Sequence, residues 1–400
     1  MKPTHRTSRA ACTAFPAHAS MTAWTALLAL ALLAATGCGD SGQGVDAPAT
    51  FDGRQVFRHD TFGSERFWTD TLRMHEVIQG GVSPATALAV GLKVDADALP
   101  RGILDTADLD DPATTVELIR LGAVVGIEGS VREGQLKEVG VTCALCHSTV
   151  DDAVAPGIGR RLDGHANRDL DPGLILSLSP ALQDPDSQAA LTSWGPGRYD
   201  AYWNLDGISD PALIPPIYGL RGVEVETYTG EGPISYWNAY VAVTQMGGIG
   251  TFVDPRLGID IQASPDLVTP KLPALLDYQL SLESPAVPPG SFDAAAAERG
   301  RSLFEGKAGC SGCHNGPTLT DANETLHHPD ETGMDPRLAQ RATTGLYRTT
   351  PLRALSAHAP YFHDGSAATL AAVVEHYDSF LRLRLAEAEK ADLVEFLRSL

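Results

Sequence analysis

Hydrophobic residues recur with helical spacing in two segments near the C-terminal end of the chain. In residues 293–305 (DAAAAERGRSLFE) and in the final segment (AEAEKADLVEFLRSL), apolar side chains return every three or four positions and form one face of a helix. These faces comprise Ala296, Gly300, Leu303 and Phe304 in the first helix, and Leu393, Phe396, Leu397 and Leu400 in the second.

The rest of the pattern predicts short helices and one β-hairpin. Alternating apolar and polar residues in VVGIEGSVREGQLKEVGVT predict two strands with a turn near residues 132–134. Helical patterns are shorter and are separated by segments rich in Pro and Gly. The predicted helices include FWTDTLRMHEVI and residues 114–122, 234–244, 273–282 and 369–377.

A Pro- and Gly-rich segment, SPAVPPGSF at residues 284–292, divides the chain. We expect a large domain over residues 53–283 and a smaller one over residues 293–400. A chain of 400 residues is long enough for two domains.

The N-terminal segment has the composition of a bacterial export signal. Residues 1–20 contain basic but no acidic side chains, and the apolar run AWTALLALALLAA that follows is too short to span a membrane. The sequence Ala-Thr-Gly-Cys38 resembles a lipobox, so residues 1–38 are predicted to be a lipoprotein signal peptide and residues 39–52 a flexible tether. A plain signal peptide with an incidental Cys38 is the alternative. We expect a lipid anchor on the periplasmic side of a bacterial membrane, with the outer membrane favoured.

The charge excludes one class of partner. The chain carries 50 Asp and Glu against 30 Lys and Arg, for a net charge of −20. Such a surface repels phosphate backbones, so we expect no nucleic-acid partner.

The chain contains two cysteine motifs with the same spacing, each followed directly by a histidine. CALCH contains Cys143, Cys146 and His147, and CSGCH repeats this pattern as Cys310, Cys313 and His314. C-x-x-C-H is the attachment motif of c-type haem, in which two thiols reach the porphyrin vinyl groups and the histidine reaches the iron.

The alternatives to haem explain less of the two motifs. Two disulfides would leave both adjacent histidines unexplained, and two zinc sites would each need further ligands at zinc spacing. We therefore predict two covalently attached haem c groups. The predicted fold class is mainly α, with two cytochrome c-like haem domains, of which the first is enlarged by loops and a small β-hairpin.

The C-terminal segment resembles the bacterial diheme cytochrome c peroxidases and their MauG-type relatives. The resemblance runs through FEGKAGCSGCH, then YRTTPLRALSAHAPYFHDGSAATLAAVVEHY, then EKADLVEFL. It is looser in the first domain, at WGPGRYDA (residues 194–201) and DPRLG (residues 254–258). The resemblance implies that the first and last helices of the C-terminal domain cross closely at Gly300 and Phe304.

The resemblance also suggests ligands on the second side of each iron. For the first haem it implies His165, and Met246 is a competing candidate. The alternative is that His165 is an ordinary histidine of a surface loop and binds no iron. For the second haem the position that carries Met or Tyr in these families falls at Tyr377. The competing residues there are His376, Met334, His358 and His363.

Two positions bear on catalysis. The peroxidases resembled here have Glu-Met-Gly over the active haem, where this chain has Gln245-Met246-Gly247. Gln cannot accept a proton from peroxide as a carboxylate would, so we expect slow peroxide turnover. Trp194 is a candidate for an aromatic group between the haems, as are Trp203 and Trp237; ordinary packing is the alternative for each.

Together these features predict an exported diheme redox enzyme of the peroxidase type. Its expected partners are hydrogen peroxide or a related oxidant and a small redox protein such as a cytochrome c or a cupredoxin. A membrane-tethered electron-transfer cytochrome without peroxidase activity is the alternative. The sequence leaves open whether Ca²⁺ is bound between the domains.

Overall fold

Short helices joined by long loops make up most of the regular structure. The computed structural model describes residues 50–400, so the predicted signal peptide, Cys38 and nearly all of the tether lie outside the described residues. The helices are α1 (Gly53–His59), α2 (Met74–Gly81), α3 (Pro84–Ala89), α4 (Pro112–Arg120), α5 (Ala144–His147), α6 (Pro172–Ser177), α7 (Pro185–Thr192), α8 (Trp203–Asp206), α9 (Ile234–Tyr240), α10 (Leu272–Ser281), α11 (Ala294–Glu305), α12 (Pro329–Thr332), α13 (Arg337–Arg341), α14 (Leu370–Leu381) and α15 (Glu387–Arg398).

The strands of this part of the chain are short and pair only two at a time. They are β1 (Val94–Asp95), β2 (Ile127–Arg132), β3 (Gln135–Val141), β4 (Ser148–Val150), β5 (Ile158–Gly159), β6 (Arg161–Asp163), β7 (Arg198–Tyr199), β8 (Ala212–Leu213), β9 (Phe252–Asp254), β10 (Ile259–Ile261), β11 (Leu326–His327) and β12 (Tyr347–Arg348). The predicted hairpin is confirmed as the antiparallel pair β2–β3, whose turn lies at residues 133–134. The mainly α class is likewise confirmed.

Most of the predicted helices form, and their ends lie within four residues of the predicted limits. Helix α4 begins where the Asp111 carboxylate accepts a hydrogen bond from the Ala113 amide, and Pro112 occupies the first turn. The FWTDTLRMHEVI segment is not one helix. It divides into a π-helical turn, Phe67–Thr71, and helix α2, because Arg73 adopts a left-handed conformation with φ of 56°.

Helices α11 and α15 cross closely, as the resemblance implied. A Cβ atom at Gly300 would lie 2.0 Å from the Asp392 carbonyl oxygen and 2.8 Å from the Phe396 Cβ, so only glycine fits. Beside it, the rings of Phe304 and Phe396 lie 5.1 Å apart. The predicted apolar faces therefore meet at this crossing.

Within residues 50–400, buried apolar side chains form three clusters. The largest surrounds the β2–β3 hairpin and helices α1, α9 and α10, and a second joins helices α11, α14 and α15. The third joins Tyr202 to Leu338, Ala339 and Tyr347, on opposite sides of residues 284–292. Residues 50–400 form one compact unit, and the division at 284–292 stays a prediction.

No helix within residues 50–400 has both the length and the apolar character needed to cross a membrane.

Candidate functional site

The second cysteine motif follows helix α11 and presents a neutral imidazole. Gly309, with φ of 66°, turns the chain between α11 and the short helical turn Cys310–Gly312. The His314 Nδ1–H donates a hydrogen bond to the Leu319 carbonyl oxygen at 3.1 Å. Burial lowers the pKa of His314, so the ring is neutral and its Nε2 atom keeps a lone pair. This orientation is that of a metal-ligating histidine.

A cavity of about 430 Å³ adjoins this motif. Its wall includes both thiols of the motif, Cys310 and Cys313, together with His314 and Tyr377 of helix α14. Burial raises the pKa of Tyr377 to about 12, and the two nearby thiols contribute to this shift. The thiols form no disulfide within residues 50–400. Two free thiols, an available imidazole nitrogen and a cavity beside them fit a covalently attached haem.

Two of the competing residues for the second iron, His376 and His363, have hydrogen-bond partners, whereas His358 Nε2 is buried and has none within residues 50–400. The His376 Nε2–H donates to the Thr332 carbonyl oxygen at 2.9 Å, and its ring packs between Phe362 and Phe380. His363 Nε2 lies 3.2 Å from the Tyr347 hydroxyl. Met334, His358 and His363 line the cavity together with Tyr377. The assignment of Tyr377 as ligand stays a prediction.

The first cysteine motif has the same local chemistry. The His147 Nδ1–H donates to the Pro215 carbonyl oxygen at 3.0 Å. Burial, with a contribution from the Arg168 charge, lowers the pKa of His147 to about 4. Cys143 and Cys146 are also free thiols, and burial raises the pKa of each to about 12. These groups, too, fit a haem c.

One chain segment connects the surroundings of the two motifs. Pro215, which accepts the His147 hydrogen bond, also lines the cavity beside His314, as do Tyr218 and Leu220. The segment that orients the first histidine is therefore part of the wall of the second site.

His165 lies next to the first motif, whereas Met246 lies in the large core. The Gly164 N–H donates to the His147 carbonyl oxygen at 2.8 Å, so His165 directly follows a residue bonded to the motif. The His165 ring packs against Tyr218 with centroids 5.0 Å apart. Met246 is buried in the large core, and its carbonyl oxygen accepts a hydrogen bond from the Trp68 indole at 2.9 Å. Neither assignment as distal ligand is tested by these contacts.

Tyr199 joins the two residues expected to act in catalysis. Its hydroxyl donates to Gln245 Oε1 at 2.9 Å, and its ring lies 5.4 Å from that of Trp194. The Gln245 Nε2 group donates to Asn204 and Thr244. Burial raises the pKa of Tyr199, and the neighbouring Cys146 adds to the shift. Gln245, Tyr199 and Trp194 thus form a connected group on the side of the first motif.

The tryptophans lie in aromatic clusters. Trp194 is 2% exposed and packs against Trp203 at 5.8 Å, while Trp237 packs against Tyr236 and Tyr240. Tyr218 lies three residues after Pro215 and is part of the cavity wall. Its ring lies 5.8 Å from that of His358.

Sequence reasoning missed three residues of this region: Tyr199, Tyr218 and Arg168. Tyr199 lies within the WGPGRYDA segment that carried part of the resemblance, so a signal for it existed. Tyr218 and Arg168 had none, because their neighbours lie far along the chain.

One further group of possible metal ligands occurs in the described part of the chain. Atoms of Cys313, Asp321 and His327 lie within 4.8 Å of one another. Ca²⁺ takes six to eight oxygen ligands, so a thiol and an imidazole do not suit it.

Curated relatives match a part of the chain. It is 35% identical to a cytochrome-c peroxidase of Denitromonas iodatirespirans, with 26% of this chain and 40% of the relative aligned. It is also 35% identical to the methylamine utilization protein MauG of Methylorubrum extorquens, over 26% of this chain and 35% of that protein. The cytochrome c551 peroxidase of Nitrosomonas europaea is 33% identical over 25% of this chain and 33% of its own length. These relatives confirm the resemblance over about a quarter of the chain, which spans two-fifths or less of each of them.

Solved structures give weaker matches. A hydrazine synthase of Kuenenia stuttgartiensis aligns with a TM-score of 0.35 and 21% identity, over 48% of this chain and 73% of that one. A MauG-like protein associated with microbial copper homeostasis aligns with a TM-score of 0.33 and 23% identity, over 48% and 74%. No protein-family model matches the chain.

Proposed function

We propose that this chain is an exported diheme c-type cytochrome and a redox enzyme of the diheme peroxidase type that uses hydrogen peroxide or a related oxidant. One observation carries the proposal: the Nδ1 atom of each C-x-x-C-H histidine is hydrogen-bonded to a backbone carbonyl, beside two thiols that form no disulfide within residues 50–400. The names of the curated relatives support the peroxidase class.

Six residues hold the cofactors in this proposal. Haem supplies one-electron redox chemistry and the reaction with peroxide. The protein supplies the thiols for attachment and two histidines of fixed tautomer, because each Nδ1–H is already donated to a carbonyl. The residues are Cys143, Cys146 and His147 for the first haem, and Cys310, Cys313 and His314 for the second.

Tyr377 is proposed to lower the reduction potential of the second haem. A tyrosine ligand stabilises ferric iron more than a methionine does and so lowers the reduction potential. Tyr377 lies in the cavity wall, and most of the wall around it is apolar. Tyr377 would be the second protein ligand of the iron that His314 holds.

Gln245 and its neighbour Tyr199 determine whether the first site can accept a proton from peroxide. The Gln245 amide accepts from Tyr199 and donates to Asn204 and Thr244, so its position is fixed by three hydrogen bonds. An amide can hydrogen-bond a peroxide but cannot remove its proton. Slow turnover with peroxide alone follows from this.

The same observation favours a second candidate function. Because no carboxylate stands at position 245, the chain suits an electron-transfer cytochrome that exchanges electrons with a small redox protein. In both cases the lipid anchor on Cys38 holds the protein at the periplasmic side of the membrane. Electron transfer between the two haems is common to both candidates.

Peroxide titration of the oxidised protein separates the two functions. In the enzyme, hydrogen peroxide shifts the Soret absorption of the wild-type protein, and Tyr377→Phe abolishes this response while both haems stay attached. Tyr361→Phe is the control, because Tyr361 lines the same cavity but donates its hydroxyl to the Leu355 carbonyl oxygen at 2.8 Å. A wild-type Soret band that peroxide leaves unmoved, in the oxidised and in the half-reduced protein, selects the electron carrier.

A further inference from the structure

Arg168 has a buried guanidinium group without a carboxylate partner. Its Nε and Nη1 atoms are inaccessible to solvent and make no hydrogen bond within residues 50–400. The remaining Nη2 group donates to the neutral His358 carbonyl oxygen at 3.3 Å. Burial lowers the pKa of Arg168, and Arg168 lines the cavity beside His314.

The charged groups near Arg168 do not neutralise it. The groups that act on its charge are the phenols of Tyr218 and Tyr228, which are uncharged at neutral pH, and the cation of Arg198. A buried cation without a counter-ion costs free energy, and proteins avoid this by pairing such charges.

Four arginines with largely buried side chains in the described chain follow this rule, whereas the part-buried Arg353 and Arg198 donate to backbone carbonyls and form no ion pair there. Arg353 also lines the cavity, where it lies in the field of Glu226. The ion pairs are Arg58–Asp163 at 2.5 Å, Arg161–Asp95 at 3.2 Å, Arg341–Asp200 at 2.9 Å and Arg348–Glu226 at 2.8 Å. Arg168 therefore differs from these four in having no acidic partner at such a distance, and from Arg353 in that no carboxylate acts on its charge.

We propose that Arg168 is a carboxylate-binding residue of the cavity and that it pairs with a propionate of the second haem. A guanidinium offers two parallel N–H groups, which match the two oxygens of a carboxylate. Haem carries two propionates, which supply the missing negative charge. The inference rests on the proposed function, because it needs a haem in this cavity.

The pairing has a measurable consequence for the haem. With Arg168 present, the propionate stays ionised in both redox states, so the reduction potential changes little with pH near neutrality. Without the cation, a buried propionate becomes a weaker acid and takes up a proton when the iron is reduced. The potential of the second haem then falls as pH rises.

The test compares Arg168→Gln and Arg168→Lys with the wild-type haem-loaded chain. Arg168→Gln should shift the propionate bending band in the resonance Raman spectrum and introduce a pH-dependent potential in one haem. Arg168→Lys should shift the band but keep the potential independent of pH, because it retains the charge and loses the planar fork. Arg198→Gln is the control: Arg198 is also part-buried and donates to the Asp364 carbonyl oxygen. It should change neither signal.

The outcomes distinguish the sources of the carboxylate. An unchanged propionate band and unchanged potentials in Arg168→Gln overturn the inference, and so does acetate binding to the wild-type protein that is lost in this variant without a change in the band. The second result would assign Arg168 to an external carboxylate instead. Haem content, measured in parallel by the pyridine haemochrome assay, separates these failures from a failure of the proposed function, in which no haem is found.

Discussion

The two C-x-x-C-H segments have the same motif but are held in place over very different distances along the chain. The acceptor for His314 is Leu319, five residues away, whereas the acceptor for His147 is Pro215, 68 residues away. The second motif follows a helix, and the first follows the strand β3 of the hairpin. The second histidine is therefore held by a local contact, and the first by a long-range contact.

This difference explains where sequence patterns were informative. The second site keeps recognisable segments, such as FEGKAGCSGCH and APYFHDG, because each of them contributes several residues to the cavity wall. A site whose parts come from distant loops has no comparable signature, because each loop contributes one or two residues. The looser resemblance of the first region to known families agrees with this.

Replacing the two histidines tests the comparison most strongly. We expect His147→Gly and His314→Gly each to keep the covalent haems but to leave one of them without its imidazole ligand. His147→Gly should also lower the melting temperature more, since its hydrogen bond, worth about 1 kcal/mol, connects distant segments. Pyridine haemochrome assays, optical spectra and thermal melts measure these effects. Equal melting temperatures for the two variants would contradict the proposed difference in how the sites are held.

After the loss of an iron ligand, the largest expected effect is on the free energy of unfolding, at the contact between the two regions. The Arg341 guanidinium binds the buried Asp200 carboxylate at 2.9 Å and Asp206 at 2.8 Å. Arg341→Met leaves Asp200 buried without its cation, and we expect a loss of about 3–5 kcal/mol of unfolding free energy. Arg398→Met, which breaks an exposed pair with Glu395, should cost at most about 1 kcal/mol. Urea unfolding gives both values, and similar losses for the two variants would refute the role assigned to Arg341.

The helix crossing of the second region is the third test. Gly300→Ala forces a Cβ to within 2.0 Å of the Asp392 carbonyl oxygen, so α11 and α15 must separate, at a cost of about 1–3 kcal/mol. Gly80→Ala is the matched control, since an added Cβ there meets no atom within 4 Å and alanine favours helix α2. Thermal melts followed at the haem absorption should show a loss for the first variant only. A stable Gly300→Ala protein would show that the crossing tolerates a wider separation.

The smallest expected effect is on peroxide chemistry at the first site. Gln245→Glu supplies a carboxylate that can accept a proton, and we expect the rate with peroxide to rise about tenfold, or about 1.4 kcal/mol in activation free energy. Gln340→Glu makes the same charge change at an exposed position of helix α13 and should leave the rate unchanged. Stopped-flow measurement of the Soret change gives both rates. An unchanged rate in Gln245→Glu would remove Gln245 from the proposed proton chemistry.

The sequence by itself determined the features that depend only on residues close together along the chain. The two motifs specify paired thiols with an adjacent histidine, and the periodic spacing specifies the helix faces that meet at Gly300. The β2–β3 hairpin was equally readable, since strand alternation and its turn are local properties. Such features need no knowledge of distant contacts.

Only the tertiary structure decided what surrounds those residues. It placed Pro215 on His147, Tyr199 between Gln245 and Trp194, and Arg168 in the cavity wall. It also broke the FWTDTLRMHEVI helix at Arg73, a left-handed conformation that the apolar spacing gave no reason to expect. The physical reason is common to all of these: burial and hydrogen bonding depend on residues brought together by folding, and a pattern in one segment contains no record of its partners.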